Sequence, residues 1–185
     1  MNKLAIPILA VFFFSTCAGS DPAGNRDFQG PFFDLEGYMQ GQIDSLQALN
    51  PEVRKTIELN SEIETHQLDN LNFKQELKLF QQADINKPAW IDKYEIEERR
   101  ENDAVRTYYN ATDTTLAVQQ MMVDQIGKKV AMVFIDRQTG SFLSQGSQTL
   151  VYRPTEGYEI ATSQSSKVGG EIEGLVVVKF LSSAE

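Results

Sequence analysis

From Lys93 onward the sequence takes up a period of two, and that period fixes most of what this chain can fold into. Tyr94 and Ile96, then Val105, Thr107 and Tyr109, then Leu116, Val118 and Met122 alternate with polar residues, as in strands buried on one face. Three further runs, Thr149 to Arg153, Tyr158 to Thr162 and Ile172 to Leu181, are separated by Pro154-Thr155-Glu156-Gly157 and by Gly169-Gly170. Val130 to Ile135 is apolar without a break, which predicts a central strand buried on both faces. The strands follow one another at intervals of about 10–15 residues. That leaves no room for crossover helices, so the expected pairing is antiparallel.

The segment before this run carries a different period. Phe32, Leu35, Met39, Ile43, Leu46 and Leu49 fall on one face of an amphipathic helix. Pro31 suits its first turn, Asp34 and Glu36 complement its positive end, and Asn50-Pro51 stops it. Residues 31–50 hold no Lys or Arg, so the apolar stripe is read as core packing rather than as a membrane-surface helix. Val53, Ile57 and Leu59 alternate up to Asn60-Ser61, and Ile63 and Thr65 continue the alternation beyond it, a hairpin signature. Asp69 or Asn70 is the expected cap of a second helix, with Phe73, Leu77, Phe80 and Asp84 on one face. Asp84 to Tyr94 then reads as a loop, since Pro88 disfavours helix at Lys87. The expected fold is α+β: a curved antiparallel sheet of six to nine strands with two helices packed on its concave face, all within one globular domain spanning residues 31–185.

The first residues carry an address. Met1-Asn2-Lys3 gives a short positive start, and Leu4 to Phe14 follows with eleven residues free of charge. Eleven helical residues reach only ~17 Å against a bilayer core of ~30 Å, so residues 1–16 are read as a removable export signal. Phe14-Ser15-Thr16-Cys17-Ala18 places the only cysteine at the end of the apolar block. This segment resembles the lipobox of bacterial lipoproteins in the looser, Bacteroidota-type form, with Phe14 in place of Leu and Thr16 in place of Gly or Ala. The resemblance implies that Cys17 receives acyl chains of the palmitate kind and becomes the mature N-terminus. Each buried acyl CH₂ contributes ~0.8 kcal/mol, so several chains on one residue make a firm anchor. Ala18 is not the Asp that retains lipoproteins at the inner membrane in other Gram-negative groups, so the implied site is the outer membrane, periplasmic or surface-facing. Ala18 to Gly30 reads as a flexible tether, so residues 17–30 join the anchor to the folded body. Asp44-Ser45-Leu46 and Asp113-Thr114-Thr115 resemble the Asp-Ser/Thr-apolar O-glycosylation signal of exported Bacteroidota proteins, which implies Thr114 and Ser45 as candidate acceptors. Asp84 to Tyr94 is similar to a stretch in Bacteroidota envelope lipoproteins of unassigned function, and that likeness implies no activity.

Composition removes several classes. With 17 Lys+Arg against 26 Asp+Glu the formal charge is −9, and an acidic surface repels phosphate backbones, so no nucleic-acid partner is expected. One cysteine rules out a disulfide framework and a cysteine-rich zinc site. His66, the only imidazole, shares a strand face with Glu62 and Glu64 and reads as a solvent-facing residue rather than a metal ligand. There is no GxSxG or Ser-x-x-Lys motif, Gly169-Gly170 lacks the setting of a phosphate loop, and no calcium loop occurs. Glu95 and Glu97 fall on one strand face, but Arg99 and Arg100 follow, so the pair reads as a solvated charged surface. No metal, no cofactor and no catalytic residue is expected.

Two functions from different classes follow. The first is a non-enzymatic envelope lipoprotein that binds a partner protein or serves an assembly. The second is a carrier of an apolar ligand, a lipid or acyl chain. A curved antiparallel sheet with helices lying in it resembles, at the level of architecture, the half-barrel of the lipoprotein carriers LolA and LolB. Met121, Met122, Met132 and Phe142 are the candidate cavity residues for that reading. A third reading, an enzyme built on carboxylates, requires a cleft in which an acid is desolvated.

Overall fold

The computed structural model describes residues 30–140, 144–167 and 169–181. Cys17 and Phe142, together with the signal and most of the tether, lie outside the described residues. Strands β1 (Val53–Leu59) and β2 (Glu62–Leu68) form the first hairpin. A meander follows: β3 (Tyr94–Glu101), β4 (Ala104–Ala111), β5 (Val118–Ile126), β6 (Lys129–Gly140), β7 (Ser144–Arg153), β8 (Gly157–Ser166) and β9 (Gly170–Phe180). All nine join one open antiparallel sheet in the order β2-β1-β9-β8-β7-β6-β5-β4-β3. The fold is thus α+β, with nine strands at the upper end of the expected range and the helices gathered on one face.

The hairpin turn is made by Asn60 (φ 47°) and Ser61 (φ 75°), the two left-handed residues that a tight turn between twisted strands requires. Asn60 also ties the turn to β9. Its amide donates to the Glu173 carbonyl at 2.9 Å, and its Oδ1 accepts from the Glu173 amide at 3.0 Å.

Helix α1 (Leu35–Leu49) starts later than Pro31, because Asp34 is its cap and accepts from the Gly37 amide at 2.9 Å. Leu35, Met39, Ile43 and Leu46 are buried as the spacing requires, whereas Leu49 is exposed. Asn50, left-handed at φ 42°, closes the helix by donating to the Leu46 carbonyl at 2.8 Å. The second helical segment is two short pieces, α2 (Phe73–Glu76) and α3 (Lys78–Gln82), which meet at Leu77. Asn72 caps it, rather than Asp69 or Asn70, by accepting from the Gln75 amide at 3.2 Å. Asp84 lies beyond α3, in the loop that precedes a 3₁₀ turn at Pro88–Trp90.

Aromatic edges hold helices to sheet. Phe32 meets Tyr94 and Tyr109 edge-on at 5.6 and 5.7 Å, and Phe80 meets Tyr152 and Tyr158 at 5.9 and 6.2 Å. Such pairs contribute about 0.5–1.5 kcal/mol each beyond the area they bury. A strap locks the lead into α1 onto the loop after α3. Asn86 Oδ1 accepts from the Phe32 amide at 3.1 Å, Asn86 Nδ2 donates to the Phe33 carbonyl at 2.9 Å, and Asp84 accepts from the Leu35 amide at 3.3 Å.

Two expectations for the central strands are corrected. Residues 130–135 are not buried on both faces: Val133 and Ile135 are buried beneath the helices, while Met132 and Phe134 are half-buried on the outer face. Leu116, Val118 and Met122 do not share one face either. A bulge between Val118 and Gln120 shifts the phase, so Val118 and Met121 face the helices and Met122 turns outward.

Candidate functional site

Strand register lays the helix-side face out as parallel rows. The first row runs through Lys55, Val178, Tyr158, Tyr152, Val133 and Val123, and the helices cover it. Its polar tips are bonded upward into the helices. Tyr152 Oη donates to Gln42 Oε1 at 2.9 Å, and Tyr158 Oη donates to Glu76 Oε2 at 2.7 Å. Lys55 Nζ completes the second contact with Glu76 Oε1 at 2.6 Å. Burial, and then the Glu76 carboxylate, push the Tyr158 hydroxyl far above the usual phenol range, so it is a fixed donor and not an acid. These groups serve packing.

The next row runs through Ile57, Val176, Ile160, Leu150, Ile135 and Met121. Leu150, Ile135 and Met121 are fully buried, whereas Ile160, Val176 and Ile57 are half-buried. One row further, Leu59, Gly174, Thr162, Gln148, Arg137 and Val118 stand opposite one another across six strands. Here Leu59 is 51% exposed, and Ile172 beyond it is 44% exposed. The face that forms the core under the helices therefore continues past them at the β1–β9–β8 side as an open surface that carries Leu59 and Ile172, with Glu62 of β2 in register beside Leu59. Arg137 stands at its far side.

Arg137 is half-buried, and its Nε and Nη1 are the only buried side-chain polar atoms without a hydrogen-bond partner among the described residues. Burial lowers its pKa from the usual guanidinium value. Lys87, in the loop after α3, is lowered first by burial and further by the charge of Arg137, while Asp84 acts in the opposite sense. The Lys87 ammonium lies 3.9 Å over the Trp90 ring.

Carboxylate chemistry finds little support in the geometry. Asp84 is raised, chiefly by burial, but its oxygens already accept from the Leu35 amide, from the Asn86 amide at 3.0 Å and from Asn86 Nδ2 at 3.3 Å. Glu97 is engaged by Arg99 at 2.8 Å and Glu98 by Arg100 at 2.6 Å, on an exposed edge strand. His66 sits 3.3 Å from Glu64, exposed on the other edge strand. Among the described residues no cluster of three or more His, Cys, Asp or Glu could hold a metal.

The methionines proposed for a cavity are not brought together. Met121 is buried beneath the helices between Tyr109 and Ile135, Met122 lies on the outer face between Tyr108 and Phe134, and Met132 is on the outer face opposite Asp124. Phe142 lies outside the described residues. Ser45 is exposed on α1 with its Oγ donating to the Gly41 carbonyl at 2.8 Å. Thr114 is exposed in the turn between β4 and β5, at the rim of an open depression of about 800 Å³ lined by Thr115, Gln138, Gln145, Ser147 and Ser163 among others. That depression is polar and on the outer face, so it is not the apolar cavity the carrier reading requires.

Sequence reasoning passed over Arg137, although a signal was present. Val133, Ile135 and Arg137 are two residues apart, so a strand carrying the first two inward carries the third inward as well. No family model matches this chain, and neither a curated protein nor a solved structure matches it.

Proposed function

We propose that this chain is a non-enzymatic lipoprotein of the cell envelope, tethered to the outer membrane through acyl chains on Cys17, and that it works as a binding module. The observation that carries the binding role is the exposure of Leu59 and Ile172 on the same face that elsewhere forms the core. Apolar side chains left open beside a packed interior extend that interior when a ligand or partner covers them.

Of the two occupants, partner protein or apolar ligand, the position of the surface favours the ligand. The half-buried Ile57, Val176 and Ile160 lie in the row that leads directly under the helices, whereas a docking surface for a protein would be expected on an unobstructed face. The anchor is tested by the intact mass of protein extracted from membranes, with a Cys17→Ala form as reference: an acyl excess on the native form supports it, and a difference of only the cysteine sulfur after signal removal overturns it. The open end is tested by fluorescence titration of the Cys17→Ala form with the apolar probe N-phenyl-1-naphthylamine. Leu59→Glu weakens probe binding about tenfold if this surface is the site. Equal binding by both forms would place the site elsewhere.

A further inference from the structure

Arg137 is half-buried, and its Nε and Nη1 are sealed from solvent where charged donors do not stay unpaired without a reason. It is on the helix-side face of β6, with Val118 on one side and Gln148 on the other. Among the described residues no acceptor reaches its Nε or Nη1, although the chain has 26 acidic residues against 17 basic ones. Asp136, its neighbour in sequence, turns to the outer face between Gln120 and Thr149. The charged loop residue whose ionisation Arg137 perturbs is Lys87, another cation. Buried donors with no acceptor are costly, more so when charged, and such groups persist where an acceptor arrives from outside.

The geometry also shows where that acceptor could come from. Arg137, Gln148, Thr162, Gly174 and Leu59 are in register across β6, β7, β8, β9 and β1, a span of roughly 19 Å at ~4.8 Å per strand. One end of this row is a guanidinium beside an amide and a hydroxyl, with Gln148 Nε2 donating to Thr162 Oγ1 at 3.4 Å. The other end is the exposed Leu59, with Ile172 open on the same face and Glu62 beyond it on β2. A row that is cationic at one end and apolar at the other is complementary to an amphiphile with an anionic head.

We propose that Arg137 binds the anionic head, a carboxylate or a phosphate, of an amphiphilic ligand whose chain lies toward Ile160, Val176, Ile57 and Leu59. The inference rests on the apolar-ligand reading of the open end given above. A bidentate oxyanion on the guanidinium supplies the acceptor that Nε or Nη1 lacks.

The test titrates the full chain carrying Cys17→Ala with dodecanol, dodecanoate and dodecyl phosphate, followed by calorimetry, and repeats the series on Arg137→Gln. The native residue is expected to favour one or both anions over dodecanol by about tenfold to a hundredfold, and Arg137→Gln to abolish that preference while still binding dodecanol. Preference between dodecanoate and dodecyl phosphate identifies the head. Dodecanol binding with no anion preference, or a preference that survives Arg137→Gln, overturns the assignment of Arg137 alone. Failure of all three compounds to bind overturns the open-end reading and the inference with it. Thermal unfolding of Arg137→Met supplies an independent check: removing orphaned donors raises the melting temperature of the ligand-free protein, whereas an arginine kept for structure would lower it on replacement.

Discussion

Tyr158 and Glu76, 82 positions apart in sequence, are joined by a 2.7 Å hydrogen bond that fastens α2 to β8. Lys55 of β1 reaches the other carboxylate oxygen, so one side chain on a four-residue helix holds two strands. The side chains of Lys55 and Glu76 are 17% and 20% exposed, so their bond is mostly sheltered from solvent. Glu76→Ala is expected to cost about 2–3 kcal/mol in urea unfolding, because it strands both partners, and Glu76→Gln about 1 kcal/mol. A cycle with Lys55→Met isolates the ion pair. Additive losses in that cycle would show that the two groups do not act together.

The Asn60-Ser61 turn offers a gain instead. Ser61 sits at φ 75°, a conformation in which glycine carries no steric penalty. Ser61→Gly is expected to stabilise the protein by about 0.5–1 kcal/mol, read as a higher urea midpoint at unchanged slope. Asn60→Ala should do the reverse, since it removes the acceptor for the Glu173 amide.

The strap at Asn86 is expected to be the most sensitive polar contact in the loops. Asn86→Ala removes the acceptor of the Phe32 amide and the donor to the Phe33 carbonyl, at a cost of about 2 kcal/mol. Amide exchange at Phe32 and Leu35 should quicken more than exchange in β7 or β8. Uniform quickening would mean that the strap is not a local fastening.

Asp113 gives a pH signature. The Thr115 hydroxyl and amide donate to its Oδ1 at 2.6 and 2.9 Å, and Lys93 to its Oδ2 at 3.1 Å, which holds its carboxyl down to about 2. A folded-state pKa below the unfolded value favours the fold above the ordinary carboxylate range. That contribution is fully present above about pH 4 and is lost as the pH falls through about 2. Carboxyl-detected titration should show Asp113 ionised at pH 3. Asp113→Asn should flatten the stability profile between those limits.

The periodic parts of this fold were legible in advance. Alternation from Lys93 onward and the apolar run at Val130 to Ile135 marked β3 to β9, and the 3-and-4 spacing marked α1, since each is a local consequence of burial. The pairing of β1 with β9 was not, because it joins Val53 to Phe180 across the whole body of the chain and no local pattern encodes a partner so distant. The break at Leu77 and the bulge at Gln119 escaped for the opposite reason: each is a one-residue event decided by packing. Met121 and Met122 could have been separated from the start, because neighbours in a strand point to opposite faces. Arg137 could be assigned to a face from its spacing. That it lacks an acceptor depends on what the folded chain places around it, which no local pattern encodes.

The order β2-β1-β9 has a consequence for how the chain comes together. Each strand from β3 to β9 finds its neighbour within a short loop, so the meander can assemble by local steps. The first hairpin has no partner until the last strand exists, and its register is set against residues about 120 positions later. The earliest strands in sequence are thus the last to dock. Lesions in β1 or β2 should then hasten unfolding while leaving the folding rate nearly unchanged, and loss of β9 would leave the hairpin with no sheet to join.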